Sequence, residues 1–194
     1  MKKTTCILGS FLAWTAIIGA QGDQDIAAKV LSVQGRVEVE QSPWAPASVD
    51  LILYPGNAIR TGPRSRAALL LADETQLKIS ENSELQLNEV RQSSNLLARI
   101  TTAPRADQSI LNINRGRAWL KSKKKPAPVR VATPSVTAAI RGTEFDIQVA
   151  ADGETLVTVL EGSVDFFNEL GSIVVNPGEQ GRCLVGEAPT KTVI

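Results

Sequence analysis

The chain has 194 residues, 43% hydrophobic and 21% charged, with a formal net charge of +1. That near-neutral balance gives no electrostatic reason to expect nucleic acid or an anionic membrane as partner. Histidine is absent, which removes the commonest general base and metal ligand and leaves hydrolytic chemistry poorly equipped.

Lys2 and Lys3 precede an uncharged apolar stretch, Ile7–Ala20, ending in the small residue that a signal peptidase requires. A comfortable membrane span needs about 20 apolar residues, so residues 1–20 are expected as a removed secretory signal. An uncleaved anchor is the alternative. Without the leader the chain is 174 residues long with 19 basic and 20 acidic groups, a net charge of −1. That length suits one domain with its own core. Only Cys183 then remains. It is expected as a small buried residue near the last strand, with an intermolecular disulfide as the alternative.

Period-two alternation dominates from Val30 to Val175 and predicts strands with one buried face. Val33, Val37 and Val39 alternate around Gly35, and Trp44 follows beside Pro43 and Pro46. Pro55-Gly56 predicts a turn, then Leu69 and Leu71 lead through a type I turn at Asp73-Glu74 to Leu77 and Ile79, and on to Leu85 and Leu87. Asn88–Ser109 is polar and reads as a long loop or insertion; the nearest helical candidate, Ser94–Thr101, is short and weakly capped. Leu111 and Ile113 open the next strand, which carries Gly116 and Trp119. The basic run Lys121–Lys125, ended by Pro126 and Pro128, predicts an exposed loop. Its functional reading is an anion contact with lipid phosphates or acidic glycans, its bland one a solvated loop. Val129 and Val131, then Val157 and Val159, then Val164 and Phe166 continue the alternation. Asp152-Gly153 is a two-residue hairpin signal, and Pro177-Gly178 a last turn.

Val33-Gln-Gly35-Arg-Val37 is echoed in Leu160-Glu-Gly162-Ser-Val164 and, more weakly, in Asn114-Arg-Gly116-Arg-Ala118. A glycine inside a strand marks a bulge, a bend or close approach of another backbone. Recurrence at irregular spacing predicts stacked, similar β-coils. The boundaries drawn from these cues are a signal peptide at 1–20, a flexible segment at 21–27, an all-β domain at 28–189 and a tail at 190–194.

Several blocks in order carry a resemblance. They are Val33-x-Gly35-x-Val37, Pro55-Gly56-Asn57-Ala58-Ile59-Arg60-Thr61-Gly62, Ser65-Arg66-Ala67-x-Leu69-x-Leu71-x-Asp73 and Thr75-x-Leu77. Gly116 with Trp119, Thr133-Pro134, Arg141-Gly142-Thr143-Glu144-Phe145, Thr158–Val164 and Pro177-Gly178-Glu179 complete them. Together they resemble the FecR-type periplasmic domain of the iron-dicitrate transport regulator family. The resemblance implies an all-β, solenoid-like stack of short strands, a β-sandwich or jelly roll being the alternative. It further implies regulators seated across the inner membrane. Their cytoplasmic segment controls a sigma factor, and their periplasmic end contacts the signalling domain of an outer-membrane transporter. Only Met1–Cys6 precede the apolar run here, and a short stretch follows Glu179, so the expectation is the core domain alone, exported. Glu74 stands where glycine is common in the family.

The residues singled out as family signature or partner contact are Arg141, Gly142, Thr143, Glu144, Phe145, Glu161, Gly162 and Trp44. Gly142 is expected in a conformation that a side chain forbids. Arg141 and Glu144 are expected to pair with each other or with Glu161. Phe145, Phe166 and Trp119 are expected in the core, and Trp44 as an exposed aromatic. No catalytic, cofactor-binding or metal residue is assigned.

Three functions are weighed. The first is an exported, non-enzymatic binding or scaffolding module, periplasmic or secreted, that offers a sheet face or edge to an envelope protein or polysaccharide. It would need neither nucleic acid nor, once the signal is cleaved, a membrane span. The second is a component of transporter-linked sigma-factor signalling across the envelope. The third is a carboxylate-dependent glycan hydrolase, for which Asp73/Glu74 and Asp152/Glu154 are the carboxylate pairs at hand.

Overall fold

A computed structural model describes residues 26–40, 43–88, 111–122, 129–140 and 142–194. The expected leader, the helical candidate Ser94–Thr101, nearly all of the loop at 88–109, the basic run from Lys123 onward and Arg141 lie outside the described residues. Every regular element within them is a strand, and none is a helix long and apolar enough to cross a membrane.

The strands in chain order are β1 (Ala28–Gln34), β2 (Val37–Glu40), β3 (Trp44–Pro46), β4 (Ile52–Leu53), β5 (Ala58–Thr61) and β6 (Arg66–Leu71). Next come β7 (Gln76–Ile79), β8 (Glu84–Leu87), β9 (Leu111–Lys121), β10 (Val129–Ala132), β11 (Thr137–Ile140) and β12 (Glu144–Val149). The last are β13 (Thr155–Glu161), β14 (Val164–Asn168), β15 (Gly171–Val175), β16 (Glu179–Cys183) and β17 (Thr190–Val193). They form one continuous open sheet folded into two layers. The first layer runs β4-β1-β6-β7-β9-β12-β13-β16-β17, antiparallel throughout. The second runs β3-β2-β5-β8-β9-β10-β11-β14-β15, with only β9 and β10 parallel.

The long strand β9 belongs to both layers. Leu111 and Ile113 point inward from the second layer and Ala118 and Leu120 from the first, so the inward parity switches at Gly116. The inward side chains of both layers meet in one core cluster, with Leu69, Leu77, Leu120, Phe145 and Ile147 facing Ile59, Leu85, Ile113, Val164 and Phe166. Strand alternation therefore produces the expected all-β class directly, because each strand has one apolar row and one polar row.

The echoed glycines are where the chain passes from one layer to the other. Gly35, Gly116 and Gly162 adopt φ of +75°, +98° and +82°, values that a side chain rarely tolerates. Each is locked by a hydroxyl from an adjacent crossing. Buried Ser65 accepts the Arg36 N–H through its Oγ at 2.9 Å and donates to the Pro63 carbonyl at 3.0 Å. Buried Ser83 accepts the Arg117 N–H at 3.0 Å and donates to the Glu81 carbonyl at 3.1 Å. Thr143 Oγ1 donates to the Ser163 carbonyl at 3.0 Å.

Three boundaries differ from expectation. Residues 190–194, expected as a tail, contain β17, paired to β16 from Arg182↔Thr190 to Glu179↔Val193. Ala27, expected in a flexible segment, is buried and donates its N–H to Leu53 O at 2.9 Å. The Asp152-Gly153 hairpin joins β12 to β13, but its loop has three residues rather than two. Gly153 N–H reaches Ala150 O, and Ala150 N–H reaches Glu154 O. The left-handed Gly153, at φ +85°, supplies the bulge that such loops need.

Candidate functional site

Most of the signature cluster holds the fold together. Gly142 has φ +64°, as expected, and a Cβ built on Gly162 would lie 2.8 Å from the Gly142 carbonyl. The two crossings β11–β12 and β13–β14 thus pass at backbone contact, with Thr143 pinning them. Phe145 is fully buried, as is Phe166. Arg141 lies outside the described residues, and Glu144 finds another partner. Its carboxylate accepts Lys121 Nζ at 2.7 Å and Trp119 Nε1 at 3.3 Å. The Lys121 hydrogen bond, aided by Trp119, holds the Glu144 carboxyl below the usual carboxylate range. Glu161 stands opposite Glu144 in the ladder and is exposed.

Two tryptophans depart from expectation. Trp119 is not in the core: Ala118 and Leu120 point inward, so Trp119 points out from the first layer and is half-buried there. Lys78, its cross-strand neighbour, holds its ammonium 4.2 Å from the Trp119 ring centroid. Trp44 is half-buried rather than exposed, with the Arg60 guanidinium 4.1 Å from its ring centroid. Arg60 in turn shares Glu38 with Arg36, at 2.8 and 2.9 Å, and those two hydrogen bonds keep the Glu38 carboxyl low.

The carboxylates flagged for hydrolysis are engaged in turns. Asp73 accepts both the N–H and the hydroxyl of Thr75, at 2.9 and 2.8 Å. Asp152 accepts the Glu154 N–H at 3.0 Å, and Glu154 is paired with Arg182. Cys183 is buried in β16, its thiol pushed up by burial, so it offers no surface thiol for a disulfide.

A broad concavity lies on the outer side of the first layer. One ladder row there reads Ser32↔Ala68↔Lys78↔Trp119↔Asp146. The next row begins Gln34↔Arg66 and includes Arg117↔Gln148. Ser32 and Ala68 are short where their neighbours are long, which opens a groove of about 1280 Å³ between β1 and β9. Arg64, Arg66, Lys78, Arg115 and Arg117 line it, against Glu81 as the acidic group of the lining. Arg117 pairs with Asp146 at 2.8 Å and Arg115 with Glu84 at 3.0 Å. Arg66 is exposed and has no ion-pair partner among the described residues. Sequence reading missed this groove. The outward parity of Trp119 was the available signal, but the Ser32↔Ala68 gap depends on strand pairing.

The two ends of the layers differ. At one end the edges are β3, which carries Pro46, and β4, both very short. At the other end they are β15 and β17, each paired on one side, with Leu170, Val174, Val185, Val193 and Ile194 exposed around them.

A family model described as FecR protein matches residues 57–165, more than half of the chain. Two crystal structures of a candidate anti-sigma factor from Parabacteroides distasonis ATCC 8503 share the fold. Their TM-scores are 0.55 and 0.56, at 14% and 15% identity, and each alignment covers 70% of this chain. The chain spans 59% of those relatives' own length. No curated protein matches it.

Proposed function

This chain belongs to the FecR family, and from that premise we propose that it is a non-enzymatic protein-binding module of sigma-factor signalling in the cell envelope. It works on the exported, periplasmic side, where its contact surfaces meet a partner protein. The observation that carries this reading is the family match over residues 57–165, reinforced by a fold shared with candidate anti-sigma factors. The surface chemistry agrees with a binding role. A charged groove and sheet edges are features through which proteins recognise one another, whereas the paired carboxylates are spent on turn geometry.

The chain then supplies a docking surface for a partner protein of the envelope. Deleting the gene in its own organism and comparing transcripts tests this. The expected result is a change confined to genes under one envelope-responsive sigma factor, restored by the exported chain. An unchanged transcript profile under envelope stress and iron limitation would overturn the reading. In-cell cross-linking of the tagged chain is expected to capture a membrane-bound regulator or transporter.

A further inference from the structure

We propose that the groove on the outer side of the first layer is the seat of an extended acidic peptide segment from a partner protein. The inference rests on the partner-binding reading above and names its surface and chemistry. Five cationic side chains line the groove: Arg117 and Arg115 are paired with Asp146 and Glu84, while Arg64, Arg66 and Lys78 have no ion-pair partner among the described residues. The basic character continues beyond it. Arg115 and Asn82 also line an adjoining hollow of about 370 Å³, with Arg36 and Arg60 on either side of the Glu38 carboxylate that pairs with both. A cleft lined by one sign of charge concentrates ligands of the other sign and raises their rate of encounter.

The identity of the cations narrows the ligand. Four of the five are arginines, whose planar fork donates two parallel hydrogen bonds to a carboxylate. Arg66 stands at the rim with no carboxylate of its own among the described residues, so a bound acid breaks no existing pair there. Gln34 and Gln148, opposite Arg66 and Arg117 in the ladder, add amide groups suited to a peptide backbone. Trp119 argues against a sugar chain. A pyranose needs a bare aromatic face, and Lys78 already lies over this ring. An extended segment can lie along the floor that the short residues Ser32 and Ala68 form between longer neighbours.

The test measures binding of a fluorescein-labelled (Glu-Ser)6 peptide to the exported chain by fluorescence anisotropy at low salt. The expected result is saturable binding that weakens steadily as salt rises. Arg66→Glu should weaken it at least tenfold and Arg66→Lys much less. Arg182→Glu, with the same change in charge at the far end of the same layer, should leave it unchanged. Circular dichroism and urea midpoints confirm that each variant is folded. Failure of the wild-type chain to bind, equal loss in both glutamate variants, or tighter binding of an oligogalacturonate of matched charge would each overturn the proposal. The transcript experiment reads signalling without reference to this groove, so either proposal can fail while the other stands.

Discussion

At the scale of single residues, much of this fold depends on backbone conformations that few side chains accept. The loop from Leu71 to Thr75 is built like that from Ala150 to Glu154. Leu71 N–H reaches Thr75 O and Glu74 N–H reaches Leu71 O, while Asp73 accepts the Thr75 N–H as Asp152 accepts that of Glu154. Glu74, at φ +68°, thus occupies the place that Gly153 holds in the other loop. Left-handed backbone costs a residue with a Cβ about 1–2 kcal/mol, so Glu74→Gly is expected to stabilise the chain by about 1 kcal/mol. A urea midpoint that fails to rise would show that the glutamate side chain compensates for its backbone. The serine locks make the opposite prediction. Ser83→Ala leaves the Arg117 N–H without its acceptor at a buried crossing, which costs about 1–3 kcal/mol. A loss well under that range in urea unfolding would mean that water replaces the hydroxyl. The glycines of these crossings were legible in the sequence as an echo. The hydroxyls were not, since Ser83 and Arg117 lie 34 residues apart and nothing local links them.

At the scale of elements, alternation told which strands exist and which side of each is apolar. It did not tell which strands would be neighbours. Trp119 shows the cost of reading a residue type ahead of its position. Its aromatic character suggested the core, whereas its place between Ala118 and Leu120 puts it outside. The same pairing fixes the polar rows. Lys121 on β9 meets Glu144 on β12, Arg60 on β5 meets Glu38 on β2 with Arg36 just before that strand as a second partner, and Lys191 on β17 meets Glu179 on β16. In all three carboxylates hydrogen bonds from the basic partner lower the pKa beneath 4.5. A carboxyl with a lowered folded pKa binds fewer protons than its unfolded counterpart in that window. Its contribution is therefore fully present above the unfolded value and lost as pH falls through the folded one. The thermal midpoint is accordingly expected to hold steady near neutrality and to decline below pH 4.5. Replacing Glu144 with Gln should lower the neutral-pH midpoint and reduce the acid decline. An unchanged acid limb in that variant would place the titration elsewhere.

At the scale of the whole molecule, a stack of two open layers has to manage its edges. Unpaired backbone at a sheet edge recruits further strands unless something blocks it. One end is blunted by brevity and proline, in β3 and β4. The other end is guarded by a lysine. Lys191 extends from β17 so that its Nζ donates to the Val174 carbonyl of β15 at 2.9 Å and to both Glu179 oxygens. It thereby ties the edge of one layer to that of the other and occupies an acceptor that an incoming strand would use. Beside it, Ser172-Ile173-Val174-Val175 is an uncharged run with exposed Val174, a composition prone to edge pairing. Lys191→Ala removes the guard without adding a charge that would repel another copy. The expected outcome is concentration-dependent self-association in sedimentation velocity, absent or weaker in the unsubstituted chain and reversed by placing a second lysine at Val174. If the alanine variant sediments as the unsubstituted chain does at every concentration, Lys191 is not what keeps this edge closed. The terminal strand itself would then be the barrier, which removal of residues 190–194 would reveal.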